Sequence, residues 1–346
     1  MRTCILESPS KQASNHASKR IDWIDIAKGI GMICVISGHT IKNPVLRGTI
    51  FSFHMPLFFI LAGYTFHHSN NAKIFGRKTY HSFVQLAVLG YILFFTRLLL
   101  AVPVLKESID VEALPYALLY FSGNPLPGQK SQLIAGMVWF LLVLFVCRVL
   151  YDAIGFIHNN ILNRFIIIGF FIWGVSLGIH GYWLPFSLDI GFACLIYFLV
   201  GEHIRLKGDI EEKSGKWLKE SFALWALLLI AEAMLCRNFL ELAARRYTFP
   251  PISISCSVAG SLFIICVSIQ LQNERIARFL KYIGKNSIVL FCVHYMDRLW
   301  AIWNVVPDSL LGNVLSAIIR ICIDVLITLV ICYGRTIFVY KRRSPM

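Results

Sequence analysis

The segment FSFHMPLFFILAGYTF (residues 51–66) contains no Asp, Glu, Lys or Arg, and most of its side chains are large and apolar. The chain of 346 residues has the same character, since 57% of its residues are hydrophobic and 15% are charged. Soluble domains carry about 25% charged residues. We therefore expect a membrane protein, and exclude an ordinary soluble domain, a disordered chain and a small secreted disulfide scaffold.

Apolar runs recur along the chain, and a membrane-spanning helix needs about 20 mostly apolar residues. Ten runs predict about ten transmembrane helices: 24–40, 50–67, 82–104, 136–157, 164–180, 184–204, 220–237, 252–271, 286–303 and 313–338. The predicted fold class is all-α, a polytopic membrane helix bundle. We expect a single membrane domain over 21–340, a disordered cytoplasmic tail over 1–20 and a basic cytoplasmic tail over 341–346.

The distribution of Lys and Arg predicts the orientation of these helices. With the N-terminus inside, the tails and loops on that side contain twenty Lys and Arg residues, and those on the other side contain seven. Positively charged loops stay in the cytoplasm, so both termini are predicted to be cytoplasmic. The net charge of +14 then reflects topology, and no nucleic acid partner is expected.

The first predicted span, DWIDIAKGIGMICVISGHT (22–40), contains three ionisable groups: Asp25, Lys28 and His39. Eleven residues bring Lys28 and His39 to within about 20° on one helix face, about 16 Å apart along the axis. Lys28 is predicted near the cytoplasmic surface and His39 in the outer half of the membrane. Taken alone, Lys28 is also consistent with a lysine at the membrane interface, and His39 with a hydrogen-bonded histidine at a helix end.

Two further spans contain histidines that we predict at a similar place. His54 begins the second span one turn in from the outside, close to the depth of His39. Histidine takes up and returns protons near neutral pH, as a general base on a hydroxyl must. His294 in the ninth span is followed by Asp297 and Arg298. His294 is therefore either part of the site or a buried core histidine whose hydrogen bonds are satisfied by Asp297 or a neighbouring helix.

No metal site is predicted from these histidines. A zinc site needs three or four ligands, and no cysteine or third histidine is spaced to join His39 and His54. The ten cysteines include no CxxC pair and are interpreted as small buried hydrophobic residues. No P-loop, GxGxxG, GxSxG or HExxH motif occurs, so ATPase, dehydrogenase, serine hydrolase and zincin functions have no support.

Charged residues within the other spans are each candidates for function, because a charge at membrane depth costs about 2.5–3.5 kcal/mol. Arg148 with Asp152, and Arg320 with Asp324, are four residues apart and are predicted to pair within their helices. Four others have no obvious local partner and are expected to line a wet interior: Arg97, Asp189, Glu202 and Glu232. The long outer loop near 105–135 contains SGNPLPGQ (122–129), which could border a substrate entrance.

Three segments together resemble the acyltransferase 3 family of multi-spanning bacterial membrane proteins, particularly its fucose 4-O-acetylase-like branch. They are DIAKGIGMICVISGH (25–39), SFHMPLFFILAGYTF (52–66) and IGKNSIVLFCVH (283–294). In that family an Arg and a His separated by ten residues mark the first span, and the His is essential for transfer. Here Lys28 replaces the Arg, which keeps the charge but loses the planar fork, and His39 matches the His.

The resemblance implies an O-acetyltransferase of the bacterial inner membrane that uses cytosolic acetyl-CoA. The acceptor would be a hydroxyl of a surface polysaccharide or lipid-linked sugar. His39 and His54 are the expected catalytic residues, and His294, Asp297 and Arg298 are expected to bind the acceptor.

The acetyl-CoA phosphates are expected near Lys28, Arg77 and Lys78. The last two lie in the basic loop after the second span, where positive charge is equally explained by topology. The competing functional class is a glycan or lipid exporter or a proton-coupled transporter, which would use the same buried groups as a polar pathway.

Overall fold

The structure is a computed structural model that describes residues 20–105, 109–129, 131, 133–236, 239–299 and 309–343. Most of the predicted N-terminal tail (1–19) and residues 344–346 lie outside the described residues, as does the side chain of Arg298. Within the described part, the regular structure is helical apart from one isolated antiparallel bridge between Glu241 and Arg246.

The α-helices are labelled in chain order. The first seven are α1 (Asp22–Thr40), α2 (Pro44–Phe51), α3 (His54–Tyr64), α4 (Ala72–Ser82), α5 (Leu89–Leu105), α6 (Leu114–Tyr120) and α7 (Trp139–Gly155). The others are α8 (Asn160–Ile179), α9 (Leu188–Lys207), α10 (Ile210–Ala231), α11 (Pro250–Gln270), α12 (Arg275–Lys285), α13 (Ser287–Met296) and α14 (Leu310–Arg343).

Among the described residues, seven helical segments are long and apolar enough to cross a membrane. They are Pro44–Tyr64, Ala72–Ala101, Gly136–Gly155, Asn160–Ile179, Pro185–Lys207, Pro250–Asn273 and Leu310–Ile337. The predicted all-α membrane bundle is therefore confirmed, whereas the count of ten and the side on which the termini lie stay predictions. The remaining three predicted spans overlap α1, α10 and α13, which has ten residues, and residues 237 and 300–303 of these spans lie outside the described residues.

The segment between α2 and α3 places His54. Asn43 caps α2 by accepting hydrogen bonds from the backbone N–H groups of Val45 and Leu46, and Pro44 occupies the first helical turn. The helix ends at Phe51, and the chain enters α3 after a short break at Ser52 and Phe53. His54 therefore begins a new helix instead of lying inside a continuous one.

Glycines allow α1 and α12 to pack backbone against backbone. A Cβ atom on Gly29 would overlap the carbonyl of Leu280, and one on Gly284 would overlap the carbonyl of Asp25. Absence of these side chains permits a close helix crossing, as in other membrane bundles. This contact fixes the half of α1 that carries Lys28, and Arg20 further binds Asp25 with N–O distances of 2.6 and 2.9 Å.

Candidate active site

A cavity of about 380 Å³ lies where α1 ends and α3 begins. We call it the outer cavity, because the predicted orientation puts this end of α1 toward the outside. Its lining includes His39, His54 and Arg320. Gly123 and Asn124 of the SGNPLPGQ segment also line it, so that segment borders a cavity.

His39 is the histidine most open to this cavity. It lies on the last turn of α1, and its side chain is exposed although the neighbouring residues Gly38 and Thr40 are buried. Its ring has no hydrogen-bond partner among the described residues. The ring nitrogens are therefore available to a ligand in the cavity.

His54 lines the same cavity but is held differently. Its side chain is buried, and Nδ1 lies 2.9 Å from the carbonyl oxygen of Ile50. A carbonyl only accepts hydrogen bonds, so Nδ1 carries the proton and Nε2 is left as an acceptor. The ring of Phe51 lies beside both histidines, with centroid distances of 5.8 Å to His39 and 4.8 Å to His54.

His294 of α13 lies behind His39, with 5.9 Å between the two ring centroids. It is fully buried, and its Nδ1 lies 2.9 Å from Asp324 Oδ2 and 3.3 Å from Asp297 Oδ2. Its Nε2 has no hydrogen-bond partner in the described part of the protein. The carboxylates thus orient the ring through Nδ1 and leave Nε2 available for proton exchange.

Arg320 of α14 joins three helices at this site. Its Nε and Nη2 donate to the two carboxylate oxygens of Asp297 at 2.5 and 2.6 Å, and its Nη1 donates to Thr40 Oγ1 at 3.2 Å. The expected pairing of Arg320 with Asp324 within α14 is replaced by contacts between helices. The ends of α1 and α13 are thereby held against α14 beside His39.

The distances among His294, Asp297 and Asp324 would also suit a metal ion, since one ligand atom from each lies within 4.8 Å of the others. The Arg320 guanidinium, however, already binds both oxygens of Asp297. A divalent cation would have to displace this buried positive charge. A guanidinium therefore takes the place beside Asp297 that a metal ion would need.

Arg245 stabilises the loop that forms another wall of the outer cavity. It is buried, and its Nε donates to Asp189 Oδ2 at 2.8 Å while its Nη1 donates to Ser122 Oγ at 2.7 Å. Its guanidinium also lies 3.8 Å from the ring centroid of Trp183. Asp189, predicted to line a wet interior, instead ties this loop to α9.

A second cavity of about 300 Å³ lies at the opposite end of α3 and is called the inner cavity. Phe66, Lys78 and Arg148 line it. Lys78 Nζ donates to the carbonyl of His67 at 2.6 Å, and the Nε of Arg148 is buried with no hydrogen-bond partner among the described residues. The inner cavity therefore presents two cations and the Asp152 carboxylate, and Arg148 has unused hydrogen-bonding capacity.

The other predicted donor-binding residues are placed less directly. Lys28 is half-buried on α1 and lies within electrostatic range of Arg148. Arg77 is exposed on α4 and is not part of the inner cavity lining. Asp152, expected to pair with Arg148, accepts hydrogen bonds from the N–H and Oγ of Ser69 at 2.6 and 2.7 Å.

A family model described as an acyltransferase domain, Acyl_transf_3, matches residues 21–336, which is most of the chain. The chain belongs to the acyltransferase 3 family. No curated protein and no solved structure gave a match. The family assignment supports a multi-pass membrane acyltransferase, and the fucose 4-O-acetylase-like branch stays a prediction.

In this acyltransferase 3 protein, His39 and His54 meet at one cavity, with His294 and Asp297 directly behind it. Lys78 lies at the other end of α3, and Arg298 cannot be assigned because its side chain lies outside the described residues. The histidines were found from the sequence because each sits at the predicted outer end or middle of a span.

The sequence did not reveal the roles of Asp324 and Arg148 in this acyltransferase. Both were interpreted as members of local pairs four residues apart. The useful signal was already present: each is a charge inside a span, and such charges commonly face partners on other helices.

Proposed function

We propose that this acyltransferase transfers acetyl from acetyl-CoA to a hydroxyl of a surface polysaccharide or lipid-linked sugar. The observation that carries the proposal is the His39 ring, open to the outer cavity and backed by the His294–Asp324 pair. This arrangement suits a general base, which must face the acceptor and pass on the proton that it takes.

In the proposed reaction, His39 removes the proton from the acceptor hydroxyl while the oxygen of that hydroxyl attacks the thioester carbonyl carbon. A new carbon–oxygen bond forms and the carbon–sulfur bond breaks. The proton then goes to the departing sulfur, so that the products are an O-acetyl ester and free CoA thiol. The enclosing helices limit hydrolysis of the thioester by excluding water.

The buried pair behind His39 would stabilise the proton in transit. Asp297, Asp324 and Arg320 together carry one net negative charge when both acids are ionised. A protonated His294 would make the cluster neutral, so it can hold a positive charge near His39 without leaving a buried charge uncompensated.

The donor phosphates would bind at the inner cavity. Lys78 and Arg148 line it, and Lys28 adds positive charge nearby. Arginine and lysine are the usual partners of phosphate groups. Arg77 is the weaker candidate, because its exposed side chain lies outside the cavity lining.

The proposed setting is the inner membrane of a bacterium, with membrane lipids around the bundle and no nucleic acid partner. Acetyl-CoA would act as a substrate, and no metal is part of the proposed chemistry. Transfer at the outer cavity would modify the acceptor on the outer side, in keeping with the predicted orientation.

The test compares a strain lacking the gene with the same strain carrying wild type, His39→Gln or His180→Gln at matched membrane levels. His180 is a suitable control because it is exposed and its ring contacts the Ser176 carbonyl of its own helix. Base-labile incorporation of labelled acetyl from acetyl-CoA is measured in membranes. We expect His39→Gln to lower it at least 100-fold, since general bases contribute about 10²–10⁴-fold, and His180→Gln to leave it unchanged.

Equal incorporation by wild type and His39→Gln would contradict the proposed role of His39. If no strain incorporates acetyl and glycan export changes with the gene, the transporter function would replace the transferase.

A further inference from the structure

The lining of the outer cavity carries an excess of positive charge. Among its described residues are four cations and one carboxylate: Lys42, Arg47, Arg97, Arg320 and Glu241. Uncompensated cations inside a membrane bundle are costly, and they usually mark the path or binding site of a charged substrate.

Two of the arginines have acidic partners in the protein. Arg320 binds Asp297, and Arg47 Nη2 lies 3.6 Å from Glu241 Oε1. Glu241 is itself shared, since Arg246 lies 3.3 Å from its Oε2. These contacts neutralise the charges of Arg320 and Arg47 within the protein, at least in part.

Arg97 of α5 is held by an aromatic ring and has no carboxylate partner among the described residues. Its guanidinium lies 5.4 Å from the ring centroid of Tyr295, and no carboxylate of the described residues lies within ion-pair distance. A cation over an aromatic face keeps its full charge and its N–H donors. Tyr295 is in turn held by a hydrogen bond from its hydroxyl to the Ala135 carbonyl at 3.2 Å.

Gly136 lies beside the Arg97 guanidinium in the cavity wall. It adopts a φ of +63°, which favours glycine, and a Cβ atom there would lie 3.4 Å from Arg97 Nη1 and 3.7 Å from the Tyr295 ring. The Gly136 backbone, the Tyr295 ring and the Arg97 guanidinium are therefore neighbours in one wall of the cavity. Such a built position is typical of a ligand contact, because it restricts a long side chain before the ligand arrives.

We infer that the acceptor carries an acidic group, a carboxylate or a phosphate, which the Arg97 guanidinium binds in the outer cavity. The inference rests on the proposed function, since it names the substrate class of that site. Guanidinium matches both groups through paired N–H donors. A cavity of about 380 Å³ has the size of a small-ligand site and can enclose a sugar with its acidic substituent.

The experiment uses the full-length protein in lipid nanodiscs and three soluble probes. Methyl glucuronoside carries a carboxylate, methyl glucoside is its neutral counterpart, and glucose 1-phosphate carries a phosphate. Binding is measured as the rise in the unfolding temperature with probe concentration, and transfer of labelled acetyl to each probe is measured in parallel. Wild type, Arg97→Gln, Arg97→Lys, His39→Gln and Arg335→Gln are compared. Arg335 is an exposed arginine of α14 and serves as the matched control.

We expect one or both acidic probes to stabilise wild type at concentrations at least tenfold below those needed for methyl glucoside. Arg97→Gln should abolish this preference, Arg97→Lys should keep part of it, and Arg335→Gln should keep it in full. A response to the carboxylate probe alone would identify an acidic sugar as the acceptor. A response to the phosphate probe alone would identify a sugar phosphate or phosphate-linked carrier.

Equal stabilisation by acidic and neutral probes in wild type would overturn the inference. This comparison uses wild type alone, so it does not depend on whether a variant folds. Persistence of the preference in Arg97→Gln would overturn the role of Arg97. The proposed function is tested separately: if wild type binds the acidic probe in an Arg97-dependent manner but transfers acetyl to no probe, the transferase is refuted and an acidic ligand site remains. His39→Gln should transfer acetyl at least 100-fold more slowly than wild type and should keep the preference for acidic over neutral probes, because that preference depends on Arg97.

Discussion

At the scale of single residues, the hydrogen-bond partner of Asp324 is determined by which helix packs against it. Its carboxylate lies 2.9 Å from His294 Nδ1, thirty residues away in the chain, although Arg320 is one turn away on the same helix. Arg320 meanwhile reaches Asp297 and Thr40. Each charge contacts the helix that faces it, so these contacts depend on packing between helices.

We predict that Asp324→Asn lowers the kcat of acetyl transfer by on the order of 10²-fold with little change in the KM for acetyl-CoA. The amide keeps the size of the side chain but removes the negative charge that stabilises a protonated His294. Initial rates in membranes that contain the native acceptor give both constants.

The matched control is Asp209→Asn, which changes a carboxylate that pairs with Lys213 on the surface. Unchanged kcat in Asp324→Asn, with an intact unfolding temperature, would show that the pair behind His39 takes no part in proton handling.

At the scale of elements, the contact between α1 and α12 determines how α1 is held. Gly284 faces the Asp25 carbonyl so closely that a Cβ atom would overlap it. By contrast, Gly76 of α4 has no atom within 4 Å of the position that its Cβ would take. The two glycines therefore separate the effect of crowding from the effect of helix propensity.

We predict that Gly284→Ala reduces the free energy of unfolding by about 1–3 kcal/mol, the usual cost of overpacking. Gly76→Ala should leave stability unchanged or raise it by up to about 1 kcal/mol, since alanine favours helix. Unfolding temperatures of the two variants and wild type in one detergent provide the comparison. An equal or smaller loss for Gly284→Ala than for Gly76→Ala would mean that α1 and α12 separate easily.

Hydropathy predicted the elements better than their contacts. Long apolar runs such as Leu310–Ile337 identify spans because the bilayer requires them. The convergence of His39 and His54 followed from a short connection between two spans. Arg245 is one of the seven positive charges that the sequence assigned to the outer side, whereas the structure buries it against Asp189. Its partner on α9 is brought near by tertiary packing, which no local spacing encodes.

At the scale of the whole molecule, the two cavities separate the two substrates of the proposed reaction. Thr65 and Phe66 after the end of α3 line the inner cavity, and His54 at its start lines the outer one. Changes at one end should therefore affect one substrate and leave the other unaffected.

We predict that Arg148→Gln raises the KM for acetyl-CoA roughly tenfold, because a hydrogen bond to a charged group contributes about 1.5–3 kcal/mol. It should leave the binding of acidic probes at the outer cavity unchanged. Arg164→Gln, an exposed change on the same predicted face, should alter neither. Initial rates over a range of acetyl-CoA concentrations test the first statement, and an unaltered KM in Arg148→Gln would remove the inner cavity from the donor site.

The length of α3 sets the electrical cost of the proposed reaction. Its 11 residues correspond to about 16 Å of helix between the two cavities. Moving one elementary charge across a membrane potential of 100 mV involves about 2.3 kcal/mol. With the phosphates held by Lys78 and Arg148, the part of the donor that enters the bundle is an uncharged thioester arm. In the proposed reaction the acetyl group would therefore cross the membrane interior without electrical work, whereas the movement of the proton that returns to sulfur would depend on the membrane voltage.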